Sequence, residues 1–308
     1  MSKKVAVMDL GTNTFHLLIA EGDATNPHTL LKITEPVKLG EGGINKGIIQ
    51  PAAYTRGVNA MQQFHQHIVQ HKVDELKAIA TSALRSASNG GNFIDEVKQK
   101  TGIRIETING DEEADFIYKG VKAGTCLSQQ NSLIVDIGGG SVEFILGNID
   151  GIIYKQSFEI GAARLMDRFH KIDPIPAESI KELNDFLAIH LNDLFKDIAN
   201  YPITNLIGSS GAFETFAELI ELQKGNPFDL QKIKTYLFQN AEFLSVTDQL
   251  IRSSHQERER NKGITSIRVD MIVSSALVTR FIMQKLDISA VIMSTNSLKE
   301  GVLADMLG

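Results

Sequence analysis

The chain has 308 residues, 43% of them apolar and 22% charged, a balance that excludes disordered and fibrous proteins and a length that suits two domains. Lys and Arg number 31 against 37 Asp and Glu, a net charge of −6, which argues against non-specific nucleic-acid binding or adsorption to an anionic membrane. The one cysteine, Cys126, excludes an internal disulfide and fits a reducing, cytoplasmic setting, and no apolar run reaches the roughly 20 residues of a membrane helix.

In chain order, Met1–Lys4 and Val5–Met8 begin like a leader peptide, but Asp9 and Gly11 interrupt the apolar stretch. Instead, Val7–Ile19 reads as strand, tight turn, strand, followed by a third strand over Thr29–Leu39 and a glycine-rich loop over Gly40–Gly47. Pro51 opens a helix to about His71. Then come a strand at Leu76–Ala80, a helix at Asn92–Lys100, a strand at Ile103–Ile108 and a helix at Asp111–Val121. The polar stretch Lys122–Asn131 divides the chain into predicted domains 1–124 and 125–308. Beyond it the spacing predicts a second hairpin, a strand at Ile152–Ile160, a long helix over Ala177–Ile198, a strand at Asn205–Ile207 and a helix at Phe213–Leu222. A helix over Val269–Lys285, a strand at Ala290–Met293 and a last helix from Ser297, which can pack back on the first domain, complete the outline. This implies two α/β domains with a cleft between them.

The two hairpins are an internal repeat. Val7-Met8-Asp9-Leu10-Gly11-Thr12-Asn13-Thr14-Phe15-His16-Leu17-Leu18-Ile19 aligns without gaps on Ile134-Val135-Asp136-Ile137-Gly138-Gly139-Gly140-Ser141-Val142-Glu143-Phe144-Ile145-Leu146. Each copy ends its first strand in Asp, turns through Gly and small polar residues, and re-enters an apolar strand.

Three consecutive glycines weaken a sheet unless exposed backbone is required, and successive N–H groups without side chains can converge on a phosphate. Gly138–Ser141 and Thr12–Thr14 are therefore candidate phosphate-binding turns, although neither matches the Walker or dinucleotide pattern. Asp9, Asp136, Glu143 and Glu113 supply carboxylates that would repel such a ligand unless a divalent cation bridged them, and Mg²⁺ suits one or two carboxylates plus phosphate oxygens. Taken singly, Asp9 and Asp136 also suit turn caps, and Glu113 the first turn of a helix. Glu143 is harder to assign structurally, because glutamate is disfavoured at the start of a strand.

The blocks Asp9–His16, Thr81-Ser82-Ala83-Leu84-Arg85, Gly110-Asp111-Glu112-Glu113-Ala114 and Asp136–Glu143 resemble the exopolyphosphatase/guanosine pentaphosphate phosphohydrolase (Ppx/GppA) family. So do Ile160–Leu165, Ile207–Gly211, Arg268–Ile272 and Leu298–Gly301, in the same order over nearly the whole chain. The resemblance implies a duplicated actin-like, ribonuclease H-like fold and Mg²⁺-dependent hydrolysis of a terminal phosphate from polyphosphate or pppGpp. It implies that Glu113 and Glu143 are the catalytic carboxylates, that Asp9 and Asp136 hold the metal, and that Thr12, Asn13, Thr14, Arg85, Gly138, Gly139, Gly140, Ser141 and Lys299 bind phosphate. Ser297, Lys299 and Ala212 depart from the family's Gly, Arg and Thr. Lys keeps the charge of Arg but loses its bidentate fork.

Some relatives continue into a helical C-terminal region, so a chain ending at Gly308 is expected to prefer short phosphate chains or pppGpp. A homodimer is expected as the commonest assembly. The same scaffold also suits a kinase transferring phosphate to a small acceptor, or a nucleotide-binding protein without turnover. Three further features are set aside. His67 and His71 have helical zinc spacing but no accompanying glutamate. Cys126 has no chemistry-bearing neighbours, and Gln256–Gly263 reads as a solvated, mobile, mixed-charge loop, with Arg258 or Arg260 reaching the cleft as a sharper alternative.

Overall fold

Asp9 and His16 face each other across an antiparallel hairpin of β1 (Lys4–Leu10) and β2 (Phe15–Glu21). In the computed structural model, which describes residues 3–23, 27–230 and 232–308, this hairpin opens the first sheet. Met1 and Ser2, the start of the leader-like stretch, lie outside the described residues. The antiparallel strand β3 (His28–Glu35) follows, then α1 (Pro51–His71), β4 (Glu75–Ala80), α2 (Ser82–Ser86), α3 (Gly90–Thr101), β5 (Ile105–Thr107) and α4 (Gly110–Ala123). The strand order is β3-β2-β1-β4-β5, with β4 and β5 added in parallel. β1 is apolar almost throughout because both its faces are covered. Ala6, Met8 and Leu10 join a core with Phe64 and Phe93, while Val5 and Val7 are equally buried on the other face.

The second unit repeats this plan with β6 (Ser132–Ile137), β7 (Val142–Gly147), β8 (Ile152–Phe158), α5 (Ala162–Phe169), α6 (Ala177–His190), α7 (Asn192–Ile198), β9 (Asn205–Gly208) and α8 (Gly211–Lys224). It continues with β10 (Thr235–Leu237), α9 (Asn240–Arg252), α10 (His255–Arg260), α11 (Ile272–Leu286) and β11 (Val291–Ser294). Its order, β8-β7-β6-β9-β11 with β10 antiparallel at the edge, matches the first sheet strand for strand. This is the duplicated actin-like fold.

The chain divides into Met1–Ala123 with Leu298–Gly308, and Gly124–Ser297. The closing helix α12 (Leu298–Leu307) packs on α4 at Gly301, where a Cβ would come within 1.8 Å of the Phe116 carbonyl oxygen. A Lys119–Asp305 ion pair at 2.6 Å joins the same two helices.

Three expectations are corrected. The third strand ends at Glu35 rather than Leu39, since Pro36 has no N–H for the ladder. The long helix over 177–198 breaks at Leu191, whose φ −99° and ψ 8° lie between helix and turn. Gln256–Gly263 is not a mobile loop: Ser254 and Glu257 form a capping box that starts α10. Arg258 is buried in the second unit, donating to the carbonyls of Val269 at 2.8 Å and Ser253 at 2.6 Å and pairing with Asp173 at 2.7 Å. Arg258 is therefore a structural tie, and Arg260 is exposed. Burial disfavours the Asp173 charge, but Arg258 outweighs it and holds that carboxyl below the usual carboxylate range.

Candidate active site

The two hairpin tips are built alike. Gly11 and Gly138 each sit where a Cβ would lie 3.0 or 3.1 Å from the carbonyl oxygen of Thr14 or Ser141, so both turns close tightly. In the first tip the Thr12 carbonyl accepts from Gly40 N at 3.0 Å and the Asn13 carbonyl from Lys38 N at 2.7 Å. In the second, the carbonyls of Gly138, Gly139 and Gly140 accept from the backbone of Ala162, Ala163 and Gly161 at 2.9, 2.9 and 3.2 Å. These donors belong to the start of α5, whose first amides have no partner within their helix.

A trans peptide points its carbonyl and the following N–H in opposite directions. The only cis bond among the described residues is Asp173–Pro174. Carbonyls drawn to one side thus turn the amides of Gly139, Gly140 and Ser141 to the other, and likewise those of Asn13 and Thr14. Such a run of aligned N–H groups is of the kind that can bind an anion. Gly161 permits the close approach, for a Cβ there would lie 2.4 Å from the Gly140 carbonyl carbon. Arg164 adds a bond from Nε to the Gly140 oxygen at 2.8 Å and pairs with Glu159.

Beside the second tip, Asp136 and Glu143 are in-register neighbours on β6 and β7. Glu143 is only 1% exposed, and its Oε1 accepts from Ser157 Oγ on β8 at 2.7 Å. Asp136 Oδ2 accepts from Ser209 Oγ at 2.7 Å and Ser297 Oγ at 2.5 Å. Like charges placed directly opposite on paired strands repel. A divalent cation relieves that repulsion, so the donor set fits Mg²⁺ held through Asp136, with the two serines fixing the carboxylate as outer partners. Among the described residues no three His, Cys, Asp or Glu side chains form a ready-made cage.

In the first unit Asn109 and Glu112 cap α4 reciprocally: the Asn109 side chain accepts from Glu112 N at 2.9 Å, and Glu112 Oε2 accepts from Asn109 N at 2.8 Å. The capping work thus falls to Glu112. Glu113 turns inward, is 6% exposed, and its Oε2 accepts from Arg85 at 3.1 Å. Arg85 also donates to the Ile108 carbonyl at 3.1 Å. Lys299, 12% exposed, pairs with Glu300 at 3.3 Å, and Asp9 lies half-buried at the end of β1. His71 bonds the His67 carbonyl at 2.9 Å.

Sequence reasoning missed Ser157, Ser209 as a partner of Asp136, and the use of Ser297. The Ser297 departure from the family pattern was the one available signal: the hydroxyl it adds is spent on Asp136.

Known proteins resemble this chain over most of its length. The model of the Ppx/GppA phosphatase family matches residues 18–308. The crystal structure of an exopolyphosphatase from Cytophaga hutchinsonii is 39% identical, covers 99% of this chain and 98% of its own, and superposes with a TM-score of 0.96. The Aquifex aeolicus PPX-GPPA enzyme is 25% identical with a TM-score of 0.81, covering 99% of this chain and all of its own. A guanosine-5'-triphosphate,3'-diphosphate pyrophosphatase from Photobacterium profundum is 26% identical over the whole chain, which spans 60% of that relative's length.

Proposed function

We propose the following reaction on the premise that this chain belongs to the Ppx/GppA phosphatase family, as the match over residues 18–308 establishes. The protein is a hydrolase that removes the terminal phosphate from a phosphoanhydride chain, either inorganic polyphosphate or guanosine pentaphosphate. The names of its relatives support both substrates. The observation that carries the reading is the second hairpin tip, where three peptide carbonyls are drawn to α5 and Arg164 while Glu143 and Asp136 stand beside the tip.

Phosphoryl transfer needs positioning and charge neutralisation more than covalent chemistry. The amides of Gly139, Gly140 and Ser141, with Thr12, Asn13 and Thr14, bind non-bridging phosphate oxygens. Glu143 and Glu113 orient the attacking water and take its proton. Ser157 holds Glu143 in one rotamer, and Arg85, which pairs with Glu113 in this structure, neutralises an incoming phosphate. Lys299 adds a point charge. Asp136 and Asp9 would hold Mg²⁺, which when bound would neutralise negative charge building on the phosphate oxygens.

The test is orthophosphate release from tripolyphosphate, longer polyphosphates, guanosine pentaphosphate and ATP, with and without Mg²⁺. Release from polyphosphate or guanosine pentaphosphate that ceases on chelation and returns with Mg²⁺ is expected. Transfer of the phosphate to an added acceptor, or nucleotide binding without turnover, would overturn the reading.

A further inference from the structure

The repeat extends past the two hairpins. In-register pairing lines up Asp9, His16 and Thr34 across β1, β2 and β3, and Asp136, Glu143 and Ser157 across β6, β7 and β8. His16 therefore occupies in the first unit the place of Glu143 in the second. In both rows the third strand offers a hydroxyl to the middle residue: Ser157 Oγ donates to Glu143 at 2.7 Å, and Thr34 Oγ1 lies 2.9 Å from His16 Nδ1. The rows differ in what the middle residue does next. The other ring nitrogen of His16, Nε2, lies 2.9 Å from Thr14 Oγ1, at the hairpin tip.

A neutral imidazole has one N–H and one acceptor nitrogen, and the partner of one nitrogen sets the tautomer seen at the other. Two arrangements satisfy both contacts. If Thr14 gave its proton to Nε2, its oxygen would meet a ligand with lone pairs only, and a phosphate would be repelled. If Thr34 gives its proton to Nδ1, then Nε2–H donates to Thr14 and the Thr14 hydroxyl proton is free to point outward. An anion at the tip selects the second arrangement.

We propose that His16 is a positioning residue for phosphate recognition: Thr34 fixes its tautomer, and its Nε2–H holds Thr14 so that the hydroxyl donates to a phosphate oxygen. This rests on the reading of the first tip as a phosphate site, and it gives that tip a polar relay where the second tip carries a carboxylate.

The test is steady-state hydrolysis of tripolyphosphate by His16→Leu, His16→Gln, Thr14→Val and the Leu/Val double variant, with melting temperatures measured alongside. His16→Leu raises KM about five- to tenfold with a much smaller change in kcat, as expected for one lost hydrogen bond to the ligand. His16→Gln, which keeps a donor near the Nε2 position, stays within about twofold of wild type. In the Thr14→Val background, His16→Leu adds nothing, because both act through one hydroxyl. A Thr14→Val effect with wild-type KM in His16→Leu overturns the relay, as do multiplying effects or a His16→Gln as impaired as His16→Leu. A wild-type KM in Thr14→Val overturns the phosphate reading of the tip itself, and the relay with it.

Discussion

The two hairpin tips solve one problem with different braces. The second tip leans on the start of α5, whose amides take the carbonyls of Gly138, Gly139 and Gly140. The first leans on an irregular segment after β3, where Lys38 and Gly40 take the carbonyls of Asn13 and Thr12. A helix end is a stiff support that leaves no room for a side chain at Gly161. The segment that braces the first tip instead holds Lys38 at φ 49°, in the left-handed region. The carboxylates divide similarly: Glu143 shares its row with Asp136 and a serine, whereas Glu113 rises from α4 and is held by Arg85.

The largest effect that can break this comparison is at Glu113. Glu113→Gln keeps the shape and an oxygen for Arg85 but removes the base, so phosphate release falls about 10²–10⁴-fold while the melting temperature barely moves. Wild-type turnover in this variant would leave the proton transfer to the second unit alone.

The braces themselves come next. In Gly161→Ala the new methyl meets backbone, 2.4 Å from the Gly140 carbonyl carbon and 2.5 Å from that of Gly139. The tip or α5 must shift, which costs about 1–3 kcal/mol of stability and roughly 10²-fold in turnover. Gly40→Ala meets the Thr12 methyl at 2.6 Å and Ile44 Cβ at 3.2 Å, side-chain atoms rather than backbone, so its losses are smaller on both counts. Urea unfolding and steady-state kinetics on the pair check the ranking, and equal losses would mean that the two braces are equally rigid.

Ser297→Gly removes a hydroxyl that donates to Asp136 Oδ2. Losing such a support weakens metal binding about tenfold, so the Mg²⁺ concentration for half-maximal activity rises accordingly. Activity measured across a Mg²⁺ titration reads this directly.

The smallest effect is on stability, at the far end of α5. His170 follows that helix with both ring nitrogens buried and Nε2 3.6 Å from Asp173 Oδ1, and burial lowers its pKa despite the opposing charge of Asp173. The folded protein therefore binds this proton less readily than the unfolded chain, where the reference value is 6.5. This contribution to stability is present above about pH 6.5 and is lost as pH falls towards the lowered folded value. The melting temperature should decline over that range, and His170→Phe should flatten the decline.

Much of this was legible in the sequence, because the hairpin repeat depends on local spacing. Asp, Gly and the flanking apolar runs recur in register, and Pro51 marks the start of α1 as found. What escaped depends on distance along the chain. Ser297 and Asp136 are 161 residues apart, and no local pattern joins them. Gln256–Gly263 misled because its alternating charges look solvated, although the Ser254–Glu257 spacing is itself a helix-start signal. Only the fold supplies Asp173 as the partner that allows Arg258 to be buried.

The most direct measurement is hydrolysis of tripolyphosphate with Mg²⁺ in ¹⁸O-enriched water, wild type beside Glu143→Gln. The account predicts one solvent oxygen in each orthophosphate released by the wild type, and a rate at least about 10²-fold lower in the folded variant. Unlabelled phosphate, or a variant as fast as wild type, would contradict it.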